Sequence, residues 1–337
     1  MINVLVDMPV YAPALSALQQ MQGVKVTLLD PPAEICRPLP AELIRDCNVL
    51  FCSVPPENHR QMEQLQVIQI SSAGYKQLLG QDLPQRNIRA CNALGVFDVP
   101  IGEWNIAMMI NLARDMRSLV RNQEAQIWDR DKRFQWEIRG SVVGIWGYGG
   151  IGRETARLAK ALGMKVQVLS RSGIRPRGNT YNVPGTGDPE GKLPDVFFLM
   201  NEKEAFLKSL DFLVMAIPQT GSTEGIVGET ELRMLRPHAF VLNPARGPLI
   251  REDALLRALR EGWIAGAALD THYYYPMPAD HPLWTMPNVI MTPHISGSSS
   301  SPYFLERIWD IFIHNVKNVR DGMPLLNELT VTQLNDH

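Results

Sequence analysis

Short apolar runs separated by mixed polar segments recur along the first hundred residues, at Ile2–Val6, Val24–Leu29, Val49–Val54, Val67–Ile70 and Ile88–Cys91. Runs this short, rich in β-branched residues and bounded by turn formers, predict buried strands joined by helical or turn segments, as in a small doubly wound domain. After Pro100, which suits a first helical turn, Trp104, Met108, Leu112, Met116, Leu119 and Val120 recur at helical spacing. That stripe predicts one long helix facing a core or a second subunit. A further series of runs follows at Val142–Trp146, Lys165–Leu169, Val196–Leu199, Phe212–Ile217, Phe240–Asn243, Ile264–Leu269 and Val289–Met291. It predicts a second parallel sheet. Between its second and third strands, Arg175–Pro194 is rich in Gly and Pro and reads as an inserted loop. A last helix over Pro302–Asp321, apolar at Phe304, Ile308, Ile311, Phe312 and Val316, leads the chain back to the first domain, where the stretch after Gly322 docks.

The turn after Val142–Trp146 carries Gly147, Gly149 and Gly152 in G-x-G-x-x-G spacing, with Tyr148, Gly150 and Ile151 between them. The first glycine permits a tight turn, the second lets backbone approach a pyrophosphate, and the third lets the helix pack on the strand. The helix that follows, with Ile151, Thr155, Leu158, Ala159 and Leu162 on one face, stops at Gly163. Its N-terminal N–H groups and dipole suit phosphate. Strand before, helix after and a second strand at the right distance make this a dinucleotide site.

The end of the second strand selects the dinucleotide. NAD sites normally carry an acid there for the ribose hydroxyls. Here the residues are Ser170, Arg171 and Ser172, followed by Arg175 and Arg177, with no acid between Glu154 and Asp188. A carboxylate would repel a 2′-phosphate, whereas serine hydroxyls and an Arg can bond it. NADP(H) is therefore the expected cofactor, with NAD(H) as the alternative.

Composition narrows the class. The 337 residues suffice for two domains with separate cores. With 45% hydrophobic and 20% charged residues and a net charge of −2, nothing points to nucleic acid or an acidic membrane as partner. No apolar run could span a bilayer. The start reads as a first strand without the basic region of a signal peptide. Cys36, Cys47, Cys52 and Cys91 form no C-x-x-C pair and no zinc spacing, which predicts free thiols in a reducing cytoplasm and no metal.

Four loops stand at carboxyl ends of predicted strands, where open α/β sheets bind ligands. Ser71-Ser72-Ala73-Gly74-Tyr75 is a small-residue turn whose backbone N–H groups could seat an anion, though alone it is equally a plain β-α turn. Arg246 follows Asn243-Pro244-Ala245 and could bind a carboxylate through two parallel bonds while polarising an adjacent ketone. Asp270 ends the next strand. His294 follows the last one and, beside a bound keto acid, is the natural proton donor when hydride arrives at the carbonyl carbon.

Together these stretches resemble the D-isomer-specific 2-hydroxyacid dehydrogenase family over nearly the whole chain. Five motifs in that family's order carry the resemblance: G-I-W-G-Y-G-G-I-G, D-F-L-V-M-A-I-P-Q-T, V-L-N-P-A-R-G-P-L-I, I-A-G-A-A-L-D and V-I-M-T-P-H-I-S-G. The resemblance implies a Rossmann nucleotide-binding domain over 98–296, inserted in a flavodoxin-like substrate domain formed by 1–97 and 297–337. It implies that Arg246 binds and polarises the substrate, that His294 is the acid/base, and that Asp270 faces the nicotinamide carboxamide. Pro218, Thr223, Ala245 and Gly297 would line the cofactor cleft, and Ser72 to Tyr75 would hold the substrate carboxylate. Asn92 and Gly95 would mark the hinge region. It further implies a homodimer formed through the nucleotide domain, consistent with the helix after Pro100. Ser170-Arg171-Ser172 together with Ala279-Asp280-His281-Pro282-Leu283-Trp284 looks most like the NADPH-using glyoxylate and hydroxypyruvate reductases, so a small 2-keto acid is the expected substrate.

One position departs from the family. The glutamate that normally pairs with the active histidine falls, on alignment through Asp270 and Pro276, at Tyr275. Formate dehydrogenases also lack that glutamate and are the alternative enzyme, although they carry Gln there and a long N-terminal extension. A catalytically weakened dinucleotide-sensing interaction protein is the alternative of another class; retention of both Arg246 and His294 argues against it.

Overall fold

In the computed structural model, which describes residues 1–33 and 35–335, each apolar run read as a strand forms one, and every strand pairs in parallel. The elements begin with β1 (Ile2–Asp7), α1 (Ala12–Gln19), β2 (Val24–Leu28), α2 (Ala41–Ile44), β3 (Val49–Cys52), β4 (Val67–Ile70) and β5 (Arg89–Cys91). Then come α3 (Asp98–Ala113), α4 (Met116–Glu124), β6 (Val142–Trp146), α5 (Gly150–Ala161), β7 (Lys165–Leu169), β8 (Val196–Phe198), α6 (Lys203–Lys208) and β9 (Phe212–Met215). The chain continues through α7 (Glu229–Met234), β10 (Phe240–Asn243), α8 (Glu252–Glu261), β11 (Gly266–Leu269) and β12 (Val289–Met291), and ends with α9 (Pro302–Asp321) and α10 (Val331–Asn335).

Two sheets result, one of order β2-β1-β3-β4-β5 and one of order β12-β11-β10-β9-β6-β7-β8. Both are doubly wound, the first flavodoxin-like and the second Rossmann-like. The smaller unit comprises Met1–Phe97, Gly178–Val183 and Ser299–His337, and the larger comprises Asp98–Arg177 and Pro184–Ser298. Residues 178–183 thus fall outside the continuous 98–296 stretch read from sequence. Their hydrogen bonds explain why: Asn179 Nδ2 donates to the Leu325 carbonyl at 2.7 Å, and the Tyr181 N–H donates to Asn327 Oδ1 at 3.0 Å. Gly95, at φ +95°, is required beside them, since a side chain there would begin 2.3 Å from the Tyr181 carbonyl oxygen.

In the smaller unit α9 lays Trp309, Phe312 and Val316 on the sheet. Phe312 stacks on Phe51 with ring centroids 4.2 Å apart. In the larger unit, two buried clusters fill the two faces of the seven-stranded sheet. The stripe after Pro100 is not one helix. It divides into α3 and α4 at Asp115, which takes a left-handed conformation at φ +45°. The buried side of α5 also differs from the periodic reading: Gly152, Thr155, Ala156 and Ala159 are buried, whereas Leu162 is exposed. Small residues there let α5 and α3 approach closely, and Asn105 Nδ2 donates to Thr155 Oγ1 at 2.9 Å. Cys47, Cys52 and Cys91 are buried free thiols; burial pushes the Cys47 thiol up to about 12 and raises the other two as well. Among the described residues no helix is long and apolar enough to cross a membrane.

Candidate active site

The strand order of the larger sheet reverses between β6 and β9, and both strands end at the glycine turn. Gly147 has φ +101°, and a side chain on it would begin 2.5 Å from the Ala216 carbonyl oxygen just beyond β9. One on Gly152 would begin 2.4 Å from the Gly147 carbonyl oxygen. Gly149 has nothing within 4 Å of that position, so its backbone borders open space at the start of α5. A tight turn, a close helix and an open middle glycine at the switch point are what a dinucleotide pyrophosphate requires. Tyr148, expected among the cofactor contacts, turns its side chain away: its hydroxyl donates to Asp188 Oδ2 at 2.6 Å, and only 8% of the residue is exposed. Any contact from Tyr148 to a bound dinucleotide is therefore a backbone one.

Ser170, Arg171 and Ser172 follow β7, with the Ser170 N–H donating to the Phe198 carbonyl at 3.1 Å and Arg171 exposed. Arg175 and Arg177 do not extend that basic patch equally. The Arg175 carbonyl accepts from Arg153 Nη2 at 2.5 Å, and Arg177 forms an ion pair with Asp98 at 2.8 Å.

The loops after β9, β10, β11 and β12 carry the remaining groups. Thr223 Oγ1 donates to the Pro218 carbonyl at 2.7 Å and accepts from the Thr220 N–H, closing the turn after β9. Asn243 braces the next loop: its Oδ1 accepts from the Ala245 and Arg246 N–H groups, and its Nδ2 donates to the Arg246 carbonyl at 2.7 Å. The Arg246 guanidinium, exposed, donates from Nη1 to the Ala245 carbonyl at 2.6 Å, leaving most of its donors directed to solvent.

Asp270, which the resemblance turns toward the nicotinamide carboxamide, has its carboxylate engaged by the loop after β12. Its carboxylate is 0% exposed and accepts from Thr292 Oγ1 at 2.6 Å, Ile295 N–H at 2.9 Å, Ser296 N–H at 3.0 Å and Ser296 Oγ at 2.5 Å. These four donors satisfy both oxygens and fix the loop that presents His294 and runs on into Gly297. The Asp270 carbonyl also accepts from the His294 N–H at 2.8 Å, holding His294 at φ +57°.

Tyr275 Oη lies 3.1 Å from His294 Nδ1. It also accepts from the His272 backbone N–H at 3.2 Å. The phenol thus stands where a carboxylate was expected and supplies a hydrogen bond without a charge. His294 is held below the ordinary imidazole range, first by burial and then by the Arg246 guanidinium; Asp270 pulls the other way. Arg246 and His294 are therefore brought close enough for one charge to bear on the other.

In the smaller unit the Ser72–Tyr75 turn follows β4. Ser72 Oγ donates to the Gly74 carbonyl at 2.6 Å and accepts from Gln77 Nε2 at 2.9 Å. Asn92, buried, holds the turn from below, its Nδ2 donating to the Ala73 carbonyl at 2.7 Å.

Four supporting residues, His272, Tyr274, His281 and Glu252, had no role assigned to them from the sequence. His272 is buried and its Nε2 donates to the Thr292 carbonyl at 2.8 Å, tying the Tyr275 loop to the His294 loop. His281 Nε2 meets Glu252 Oε1 at 2.6 Å, and Tyr274 donates to Glu252 Oε2 at 3.1 Å, bracing the same segment against α8. The A-D-H-P-L-W stretch was the one signal available, and it marks a resemblance without stating a bond.

A Rossmann sheet with an open glycine turn at its switch point, and an Arg and a His on strand-end loops at the same edge of that sheet, after β10 and β12, defines the class: a nicotinamide-dependent oxidoreductase. The comparisons give the family. Residues 106–296 match the D-isomer specific 2-hydroxyacid dehydrogenase, NAD binding domain, and the chain belongs to that family, whose enzymes act on CH–OH groups. It is 30% identical over 281 residues to a glyoxylate reductase of Thermococcus gammatolerans, covering 79% of this chain and 78% of the relative. A solved D-isomer specific 2-hydroxyacid dehydrogenase family protein of Aeromonas salmonicida superposes with a TM-score of 0.77 at 25% identity, covering 98% of this chain and 99% of that one. The NADPH-dependent glyoxylate/hydroxypyruvate reductase of Sinorhizobium meliloti, solved with NADP and sulfate, shares the fold at a TM-score of 0.76 and 24% identity, over 99% of each chain.

Proposed function

We propose that this dehydrogenase reduces a small 2-keto acid of the glyoxylate or hydroxypyruvate kind with NADPH, and that Arg246, His294 and Tyr275 carry out the substrate side of the reaction. The observation that carries the reading is the Arg246–His294–Tyr275 arrangement beside the switch point. The Arg246 fork takes the substrate carboxylate and lends its charge to the adjacent ketone oxygen, where negative charge grows as hydride arrives. The Ser72–Tyr75 turn keeps the part the resemblance gives it, a seat for the carboxylate.

The dinucleotide, when bound, supplies the hydride. His294 supplies the proton from Nε2, because Nδ1 is engaged with Tyr275 Oη. Tyr275 is itself fixed by the His272 N–H, so the ring is aimed before substrate arrives. After transfer His294 is neutral with its remaining proton on Nδ1, and that N–H donates to Tyr275 Oη, which stabilises the tautomer left by loss of the Nε2 proton.

NADPH is favoured by the absence of an acid at the end of β7 and by Ser170, Arg171 and Ser172 in its place. Pro218, Thr223, Ala245 and Gly297 are assigned to the walls of the nicotinamide site. A homodimer through α3 and α4 is supported by exposed Ile110, Met116 and Val120 and by a groove of ≈ 500 Å³ lined in part by Met116, Val120 and Trp284. The four free thiols suit a reducing cytoplasm.

Initial rates with a panel of short 2-keto acids, each with NADPH and with NADH, test this reading. Turnover of glyoxylate or hydroxypyruvate at a higher kcat/KM with NADPH supports it. Tight nucleotide binding with no turnover of any short keto acid would replace it with the sensing role.

A further inference from the structure

Arg177 stands close in sequence to Ser170–Ser172 and counts, by position, among the cations available to a 2′-phosphate. Its surroundings assign it elsewhere. Nη1 donates to Asp98 Oδ2 at 2.8 Å, and the two side chains are only 11% and 6% exposed. The Asp98 carboxylate in turn lies against the first residue of α5: a side chain on Gly150 would begin 1.8 Å from Asp98 Oδ2. A buried carboxylate is thus held at the start of the helix whose N–H groups face the open glycine, and Asp98 also opens α3. Helix N-termini favour such a charge, and for the same reason an anionic ligand and this carboxylate compete for one positive field.

The position of Arg177 is not that of a loose loop cation. Before it, the Arg175 carbonyl accepts from Arg153 Nη2. Beyond it, the Gly187 N–H donates to Glu154 Oε2 at 2.6 Å, and Asp188 accepts from Tyr148. Arg153 and Glu154 belong to the first turns of α5, so the insert is fastened to the dinucleotide helix on both sides of Arg177.

We propose that Arg177 is a positioning residue for the pyrophosphate: it cancels the Asp98 charge at the mouth of α5 and keeps that carboxylate turned against Gly150, so that the positive field at the start of α5 remains available to the dinucleotide. This rests on the reading of the turn as a dinucleotide site and goes beyond it, because it makes the insert part of cofactor affinity. It also removes Arg177 from 2′-phosphate recognition. The charge argument concerns the pyrophosphate, which NADH and NADPH share, so both must respond alike.

The test is equilibrium titration of NADPH and of NADH, followed by nucleotide fluorescence, on the full-length protein and on Arg177→Gln, Asp98→Asn and the double variant. Arg177→Gln is expected to weaken both nucleotides by the same factor, on the order of tenfold for one uncompensated charge near a pyrophosphate. Asp98→Asn in that background is expected to restore both to within about threefold of the parent. If Arg177→Gln does not fold, Asp98→Asn and the double variant carry the test: Asp98→Asn takes a negative charge from the mouth of α5 while keeping Arg177, so it is expected to bind both nucleotides more tightly than the double variant, on the order of tenfold and alike, and equal binding by the two overturns the proposal. A loss confined to NADPH overturns the proposal, because Arg177 would then read the 2′-phosphate. Unchanged affinity in Arg177→Gln, or a double variant that folds yet stays weak, overturns it as well. A parent protein that binds neither nucleotide overturns the dinucleotide reading itself, and this proposal with it.

Discussion

Replacing Tyr275 by glutamate should move the pH dependence of ketone reduction upward. In the parent, burial and the Arg246 guanidinium lower the basicity of His294, and the phenol 3.1 Å from Nδ1 adds no opposing charge. Reduction requires protonated His294, so kcat for reduction is full below its pKa and falls as pH rises through it. With that pKa depressed, the fall lies below the ordinary imidazole value of about 6.5. Glutamate is about 3 Å shorter than tyrosine, so its carboxylate would come to rest roughly 6 Å from Nδ1. At that separation and an effective dielectric of about 20, the attraction is roughly 2.8 kcal/mol, or about two pKa units. Tyr275 is 60% exposed, so solvent screening cuts the expected gain to about one unit. Steady-state profiles of keto-acid reduction for parent and variant, from about pH 5 to 9, measure it. Oxidation of the hydroxy acid uses neutral His294 and should lose rate in the variant near neutral pH. A falling limb that stays put in Tyr275→Glu, or one already above about pH 8 in the parent, would refute the claim that the tyrosine leaves His294 without electrostatic support.

Arg246→Lys should raise KM and lower kcat for keto acids together, because a point charge cannot reproduce a two-pronged bond to a carboxylate; unchanged kinetics would remove Arg246 from the site. Ser170→Asp combined with Arg171→Ala should shift the NADPH/NADH ratio of kcat/KM toward NADH, and a parent that already prefers NADH would show the strand-end argument to be wrong. Asp270→Ala strips the acceptor from four donors at 0% exposure, so thermal or denaturant unfolding should show a loss of about 3 kcal/mol or more, with keto-acid turnover falling alongside; a neutral effect on stability would contradict the holding role given to Asp270.

Most of the larger architecture was written in local patterns. The strands β6 and β7 are contiguous apolar runs, and the glycines between them have conformational requirements that no other residue meets. What stayed hidden depends on partners distant in the chain. Nothing at Leu112-Ala113-Arg114-Asp115 marks a break, since no Gly or Pro stands there, and the left-handed Asp115 is visible only in three dimensions. The periodic reading of α5 favoured Leu162, yet close packing of α5 against α3 selected the small residues instead. The Gly- and Pro-rich insert was legible as a loop. Its bonds to Tyr148, Arg153 and Glu154 were not, because they join groups 22 to 40 positions apart in the chain. Arg246, His294 and Tyr275 could be named from motif and alignment, and the phenol–imidazole distance came from the fold. Asp270 was named from its strand end, but the donors it holds were not legible, because they lie 22 to 26 positions further along the chain.

Hydride transfer to a keto carbon is tested most directly by incubating the enzyme with glyoxylate or hydroxypyruvate and NADPH deuterated at the transferable C4 position, then analysing the product by mass spectrometry. The predicted result is a 2-hydroxy acid carrying one deuterium at C2, formed in step with NADPH oxidation, and strongly reduced yield from Arg246→Lys under the same conditions. NADPH consumed without deuterium at C2, or bound and never consumed, would contradict the assignment of this chain as a keto-acid reductase.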